Sequence, residues 1–249
     1  MKPKKTAPTL LPDKIRLNRF ISNSGLCSRR DADEHIRNGL VSVNGKITTD
    51  LATKVSPKDD VKYRNKKLTA EKKVYILMNK PKDYVTTVED PHAEKTVLDI
   101  LGPKLKERVY PVGRLDKATT GVLLLTNDGD LTKKLTHPKY KRRKIYHVFL
   151  DRVVIQNDLV KLSEGIDLDG TVVVADAVSY VDAEDKSQIG IELHSGQNRV
   201  VRRVFEKLGY NVKKLDRVYF AGLTKKNVPR GKWRFLSDKE IIMLKRGVF

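Results

Sequence analysis

The run Val122-Leu123-Leu124-Leu125 sets the tightest limit on the fold. Four consecutive apolar residues in a strand send side chains to both faces of a sheet, so both faces must be covered. Gly121 precedes the run and Asn127-Asp128-Gly129 follows it, turn chemistry that gives it the length of a strand. Val74-Tyr75-Ile76-Leu77-Met78 is a second buried-type strand, stopped by Asn79-Lys80-Pro81. No apolar run approaches the roughly 18 residues of a membrane span. The basic start MKPKKTAPTLLP has no apolar stretch of the signal-peptide kind. A cytoplasmic protein is expected, in keeping with a single cysteine, Cys27, which has no internal partner for a disulfide. The five histidines show no metal-ligand spacing, so no metal site is expected.

The formal net charge is +20, from 51 Lys+Arg and 31 Asp+Glu. Half of that excess lies in the first 75 residues, which hold 18 basic and 8 acidic side chains. Charge is therefore more than twice as dense there, predicting a small basic module ahead of a larger domain, with a polyanion as partner. Residues 1–14 read as a disordered basic arm. Leu17, Phe20 and Ile21 have helical spacing, and Gly25 ends that helix. Ser28 is placed to N-cap a second helix, with Asp31 in its first turn and Gly39 past its end. Asn44-Gly45 between apolar residues predicts a hairpin. Arg16, Arg19, Arg29, Arg30, Arg37 and Lys46 are then available for phosphates, although each alone fits a solvated basic face. The charged stretch 65–73 reads as a linker.

The sequence RLNRFISNSGLCSRRDADEHIRNGLVSVNGK resembles the RNA-binding domain shared by ribosomal protein S-four and tyrosyl-tRNA synthetases, the αL motif. The resemblance covers residues 15–64 and implies binding to structured RNA, without specifying an activity.

Within residues 74–249, Gly113-Arg114-Leu115-Asp116-Lys117-Ala118-Thr119-Thr120-Gly121 is a loop bounded by glycines, ahead of the buried strand. It carries one carboxylate, Asp116, between two cations, a setting suited to a nucleophile. The same spacing also fits a turn aspartate in a surface ion pair. Thr96 to Leu101 suggests a short helix ended by Gly102-Pro103. Lys144, Tyr146 and Val148 share one face of a strand. Val201, Val204, Phe205 and Leu208 form the apolar stripe of a helix whose other face carries Arg199, Arg202 and Arg203. Such a trio binds phosphate, holds a carboxylate, or is simply exposed. Ser237 and Glu240 form a capping box for a last helix.

GRLDKATTG followed by LLLTNDG resembles the catalytic motif of pseudouridine synthases of the RsuA/RluB branch. The segments NKPKDYVTT, KIYHV and NRVVRRVFEKLG resemble three further motifs of that branch. Asp83 stands where the family usually has glycine, and Val200 where it often has Gln or Glu. The resemblance implies an α+β fold, with a mixed, mostly antiparallel sheet flanked by helices. It implies that Asp116 is the catalytic aspartate, paired by Arg202, with Tyr146 against the target base. Arg114, Leu115, Lys144, Arg199, Val201 and Arg203 follow as candidate substrate contacts. It further implies a ribosomal RNA substrate, of the large subunit in preference to small-subunit RNA or tRNA, or a pre-ribosomal particle. No cofactor is expected, since isomerisation consumes none, and a monomer suffices. A non-catalytic RNA-binding assembly factor is the competing class, and the intact Asp116, Tyr146 and Arg202 set argues against it.

Overall fold

The computed structural model describes residues 14–88, 94–103 and 105–249, so the expected arm at 1–14 lies almost wholly outside them. The chain divides into two compact units between Lys72 and Lys73.

The first unit runs β1 (Ile15–Arg16), α1 (Leu17–Asn23), α2 (Arg29–Arg37), β2 (Val41–Val43), β3 (Lys46–Ile47), β4 (Lys54–Val55), β5 (Val61–Tyr63) and β6 (Lys66–Lys67). Ser28 caps α2 through a reciprocal box: its Oγ accepts from the Asp31 amide at 3.2 Å, and Asp31 accepts from the Ser28 amide at 3.0 Å. Such a cap contributes about 1 kcal/mol. Ala32 and Ile36 on the inner face of α2 pack on Leu17, Ile21, Val41, Val55 and Val61, all fully buried. The β2–β3 turn places Asn44 and Gly45 at φ 51° and 82°, the pair of left-handed residues that a two-residue hairpin requires. The expected linker is shorter than 65–73. Lys66 and Lys67 pair with Tyr63 and Lys62, Leu68 joins this unit's core, and Glu71 donates its amide to Asn23 O at 2.9 Å. A charged edge hairpin has the composition of a linker, because its side chains face water.

The second unit runs β7 (Tyr75–Lys80), β8 (Tyr110–Pro111), β9 (Thr120–Thr126), α3 (Gly129–Thr136), a 3-10 turn (Pro138–Tyr140) and β10 (Lys144–Leu150). It continues through α4 (Gln156–Glu164), β11 (Ile166–Leu168), β12 (Thr171–Val173), β13 (Ala177–Tyr180), β14 (Gln188–Leu193) and α5 (Val200–Lys207). The last elements are β15 (Val212–Phe220), β16 (Leu223–Thr224), β17 (Trp233–Phe235) and α6 (Asp238–Arg246). The main sheet has the order β13-β14-β10-β15-β9-β7-β17, with β8 beside β9 and β16 beside β15. Its pairs are antiparallel except β9–β15.

The double-faced burial read from Val122–Leu125 is met by two cores. Val122 and Leu124 pack with Tyr75, Leu77 and the α3 and α6 residues Leu131, Leu135 and Leu244. Leu123 and Leu125 pack on the other face with Ile76, Met78, Val148, Leu159, Val204 and Phe205. Each such leucine contributes roughly 1.5–3 kcal/mol by burial. Residues 96–101 form a hydrogen-bonded turn, not the expected helix. Asp99 accepts from the Thr96 amide at 2.6 Å, a local bond that holds the turn without further helical turns.

The parallel contact of β9 with β15 has little room. Gly121 sits at φ 108°, and a Cβ there would lie 2.1 Å from Arg217 O and 2.4 Å from Asp216 Oδ1. Gly121→Ala is therefore expected to lower unfolding free energy by at least about 2 kcal/mol, through backbone strain and overpacking combined. Urea titration checks this, and an unchanged midpoint contradicts the close packing.

Candidate active site

The loop bearing Asp116 is mounted on the segment 79–87. Lys80, at the end of β7, has no solvent exposure. Its ammonium donates to four carbonyls: Thr119 at 2.8 Å, Asp116 and Pro81 at 3.1 Å, and Lys117 at 3.2 Å. Thr86 Oγ1 donates to Leu115 O at 2.7 Å and accepts from the Leu115 amide at 3.3 Å. The Asp83 amide donates to Lys117 O at 2.9 Å. Asp83 adopts φ 70°, the left-handed conformation that glycine takes most readily and aspartate tolerates better than most residues. The turn at this non-glycine position is thus preserved in the backbone.

Asp116 opens onto a cavity of about 280 Å³, whose lining includes Arg114, Lys144, Tyr146, Arg199 and Arg217. An adjoining recess beside Asp116 is lined by Leu115, Thr119 and Val201. Leu115 and Val201 are buried, Arg114 is exposed, and Asp116 is half-buried. Tyr146 lies on the buried face of β10, directly opposite Arg217 of β15. The Lys144 ammonium is tied to the carbonyls of His194 and Ser195 at 3.0 and 3.1 Å, fixing the loop before α5. Burial pulls the Lys144 pKa down to about 8, helped by the Arg217 charge and opposed by Asp176.

The arginines of α5 separate. Arg199 occupies the N-cap of α5 at φ 50° and lines the cavity. Arg202 does not reach Asp116 as expected: its Nη1 donates to Val212 O at 3.0 Å, bracing α5 against β15. Arg203 pairs with Asp169 at 2.5 Å on the surface. The side of a helix on which an arginine projects follows from spacing, but the acceptor it finds depends on which strand packs alongside.

The cation buried at the cavity is Arg217, which sequence reasoning did not single out. It is 2% exposed, its Nε donates to Val122 O at 2.8 Å, and its guanidinium lies 4.7 Å from the Phe220 ring centre. Its Nη2 is buried without a hydrogen-bond partner among the described residues. Burial lowers its pKa from the ordinary arginine value, with Tyr146 acting in the opposite sense. The available signal was an arginine inside the strand pattern of Lys214-Leu215-Asp216-Arg217-Val218-Tyr219-Phe220. Lys80 gave a comparable signal, a lysine ending a buried strand.

In the first unit, Arg29, Arg30, Arg37 and Lys46 are exposed. Arg16 is also exposed and donates to Leu51 O at 3.1 Å, while Arg19 is half-buried.

Lys80 links the loop to pH and stability. Burial pulls its pKa down to about 8, with Asp116 and Asp83 acting in the opposite sense. Unfolded lysine stays protonated to about 10.4. Between these values the unfolded chain binds the extra proton, so this group's contribution to stability rises with pH there and is flat below 8. Lys80→Met, which leaves buried carbonyls without a donor, is expected to cost about 2–4 kcal/mol at pH 7. Its deficit relative to wild type should widen between pH 8 and 10. Denaturant titrations across that range check both points, and a deficit that shrinks contradicts the burial of a charged ammonium.

Known proteins resemble this chain in sequence and in fold. The profile of the RNA pseudouridylate synthase family matches residues 74–207, and that of the S4 domain matches residues 15–61. The ribosomal large subunit pseudouridine synthase B of Bacillus subtilis is 37% identical, over 92% of this chain and 95% of that protein. The dual-specificity RNA pseudouridine synthase RluF of Escherichia coli is 38% identical, over 94% of this chain and 80% of that protein. A crystal structure of a pseudouridylate synthase superposes with a TM-score of 0.67 at 28% identity, covering 92% of this chain and 99% of the other. A chain with three motif segments lining one cavity and the fourth bracing the Asp116 loop, with these relatives and this fold, belongs to the RNA pseudouridylate synthase family, with an S4 domain at its N-terminal side.

Proposed function

We propose that this enzyme isomerises one uridine of large-subunit ribosomal RNA, and that Asp116 starts the reaction. The observation that carries the assignment is a single carboxylate opening onto a cavity shared with Tyr146 and the buried Arg217. The name of the Bacillus subtilis relative supports the large-subunit target. A cavity of about 280 Å³ matches one small ring system rather than a duplex, so the uridine enters flipped from its helix. Flipping costs a few kcal/mol, which contacts to neighbouring RNA offset.

In the isomerisation the bond between N1 and C1′ breaks and a bond between C5 and C1′ forms. The proton on C5 leaves, and N1 gains one, so no atoms enter or depart and no cofactor is needed. The electron pair of the broken bond goes to the base. A buried guanidinium with an unpartnered nitrogen is suited to stabilising that charge, because it works without solvent screening. Arg217 takes this part, Tyr146 stacks on the uracil, and Val201 and Leu115 close the recess around it. Arg202 acts through the position of α5. Arg199 and Arg114 at the rim meet RNA phosphate, as does Arg203 at the surface. Lys144 holds the loop at 194–195. The first unit docks the RNA through Arg16, Arg19, Arg29, Arg30, Arg37 and Lys46. The enzyme acts as a monomer in the cytoplasm, on ribosomal RNA or a pre-ribosomal particle.

Asp116→Asn is expected to abolish pseudouridine formation in a large-subunit RNA transcript and to leave RNA affinity within about twofold of wild type. Activity equal to wild type contradicts the assignment. Arg217→Met should lower kcat by roughly 10²–10³-fold, the loss typical of removing one preorganised donor. A change confined to KM contradicts a role for Arg217 in stabilising the detached base. Removing residues 1–72 should weaken RNA binding and flatten its dependence on log salt. An unchanged slope removes the docking role from that unit.

A further inference from the structure

The uridine cavity does not end at Lys144. Leu135, Thr136, Lys144, Ser195, Gly196 and Gln197 line both it and a larger trough of about 690 Å³ on its far side. That volume lies well within the range of organic-ligand sites. One wall is apolar and open to solvent: Val172 and Val174 are 62% and 44% exposed, and Pro138 faces the same space. Elsewhere the lining carries cationic and polar groups, among them Lys141, Arg142 and His194.

Arg142 and His194 are held in place. The Arg142 guanidinium lies 4.8 Å from the Phe249 ring centre and 5.4 Å from that of Tyr140, and its Nε donates to Lys134 O at 3.3 Å. His194 Nδ1 meets the Asp176 carboxylate at 2.7 Å, which orients the imidazole. Lys141 sits at φ 44°, so the chain turns sharply between the 3-10 turn and β10. Two exposed valines beside a fixed guanidinium and the Lys141 cation match a nucleotide, whose base lies against an apolar surface and whose phosphate takes the charge. A protein partner would find no large apolar area here, and a free anion would have no use for the valines.

We propose that this trough is a subsite for a nucleotide adjoining the target uridine, with its base against Val172, Val174 and Pro138 and its phosphate at Lys141 and Arg142. The assignment rests on the synthase reading, since the shared wall at Lys144 and 195–197 connects the trough to the uridine cavity. It makes the enzyme sensitive to the presence of a neighbouring base, which the uridine cavity alone is not.

The test uses full-length wild type, Val174→Glu, Val174→Ile and Lys141→Gln with an unmodified large-subunit ribosomal RNA fragment whose modified position has been mapped. It is repeated with RNA carrying an abasic residue on either side of that position. Val174→Glu and Lys141→Gln are expected to raise KM for intact RNA about tenfold with little change in kcat, the cost of one lost stacking or phosphate contact. Val174→Ile, which keeps the apolar wall, should stay within twofold of wild type. One of the abasic RNAs should raise KM of wild type similarly and remove the difference between wild type and Val174→Glu, as coupled partners do. Unchanged KM in Val174→Glu, or an equal penalty on intact and both abasic RNAs, overturns the subsite while leaving the synthase reading standing. Absence of pseudouridine with wild type overturns the synthase reading and the subsite with it.

Discussion

Lys80 brings a full positive charge into the interior and uses it on main-chain oxygens of the loop that carries Asp116. Without it, the carbonyls of residues 116, 117 and 119 would point at one another across a dry space, and the loop would have to open to water. The contact explains why a basic residue closes an otherwise apolar strand. It also explains why the segment 79–87 belongs to the site although it touches no substrate in the proposed reaction. Thr86 and the Asp83 amide complete the mount, so the Asp116 carboxylate projects from a loop fixed at Leu115, Asp116, Lys117 and Thr119. Such preorganisation is what electrostatic catalysis requires.

The second constraint is the passage of β9 beside β15. The pair Gly121–Arg217 is the point where the motif loop and the arginine-bearing strand meet, and only glycine leaves space there. On its other side β15 pairs with β10, which sets Tyr146 opposite Arg217. One strand therefore delivers the cation, aligns the aromatic and abuts the loop. Asp216, its neighbour, is neutralised from the opposite face by Lys225 and Arg230, which hold its pKa below the usual carboxylate value against the effect of burial. Alternation along β15 thus keeps the Asp216–Lys225–Arg230 cluster structural and leaves Arg217 for the cavity.

Much of this was legible in the sequence. Helix caps at Ser28 and Ser237, the Asn44-Gly45 hairpin and the strand at Val122–Leu125 each depend on neighbours within a few residues, and each formed as read. What was not legible depends on pairing between distant segments. The acceptor of Arg202 is Val212, supplied by a strand whose position relative to α5 is set by the whole sheet. Arg217 gains its place from two partners, Tyr146 and Gly121, 71 and 96 residues away. The edge strand at Lys66–Lys67 was hidden because a solvated charged strand and a linker have the same composition. Asp116 lies in the loop ahead of β9, as the flanking glycines and the buried run predict, but the lysine that supports it becomes visible only when the carbonyls converge.

The proposed reaction is the conversion of one specific uridine of large-subunit ribosomal RNA. Mapping pseudouridine across the ribosomal RNA of cells with and without the gene, and with the gene restored, tests it most directly. One large-subunit position is expected to be modified with the gene, unmodified without it and modified again on restoration. Identical maps in all three strains would contradict it.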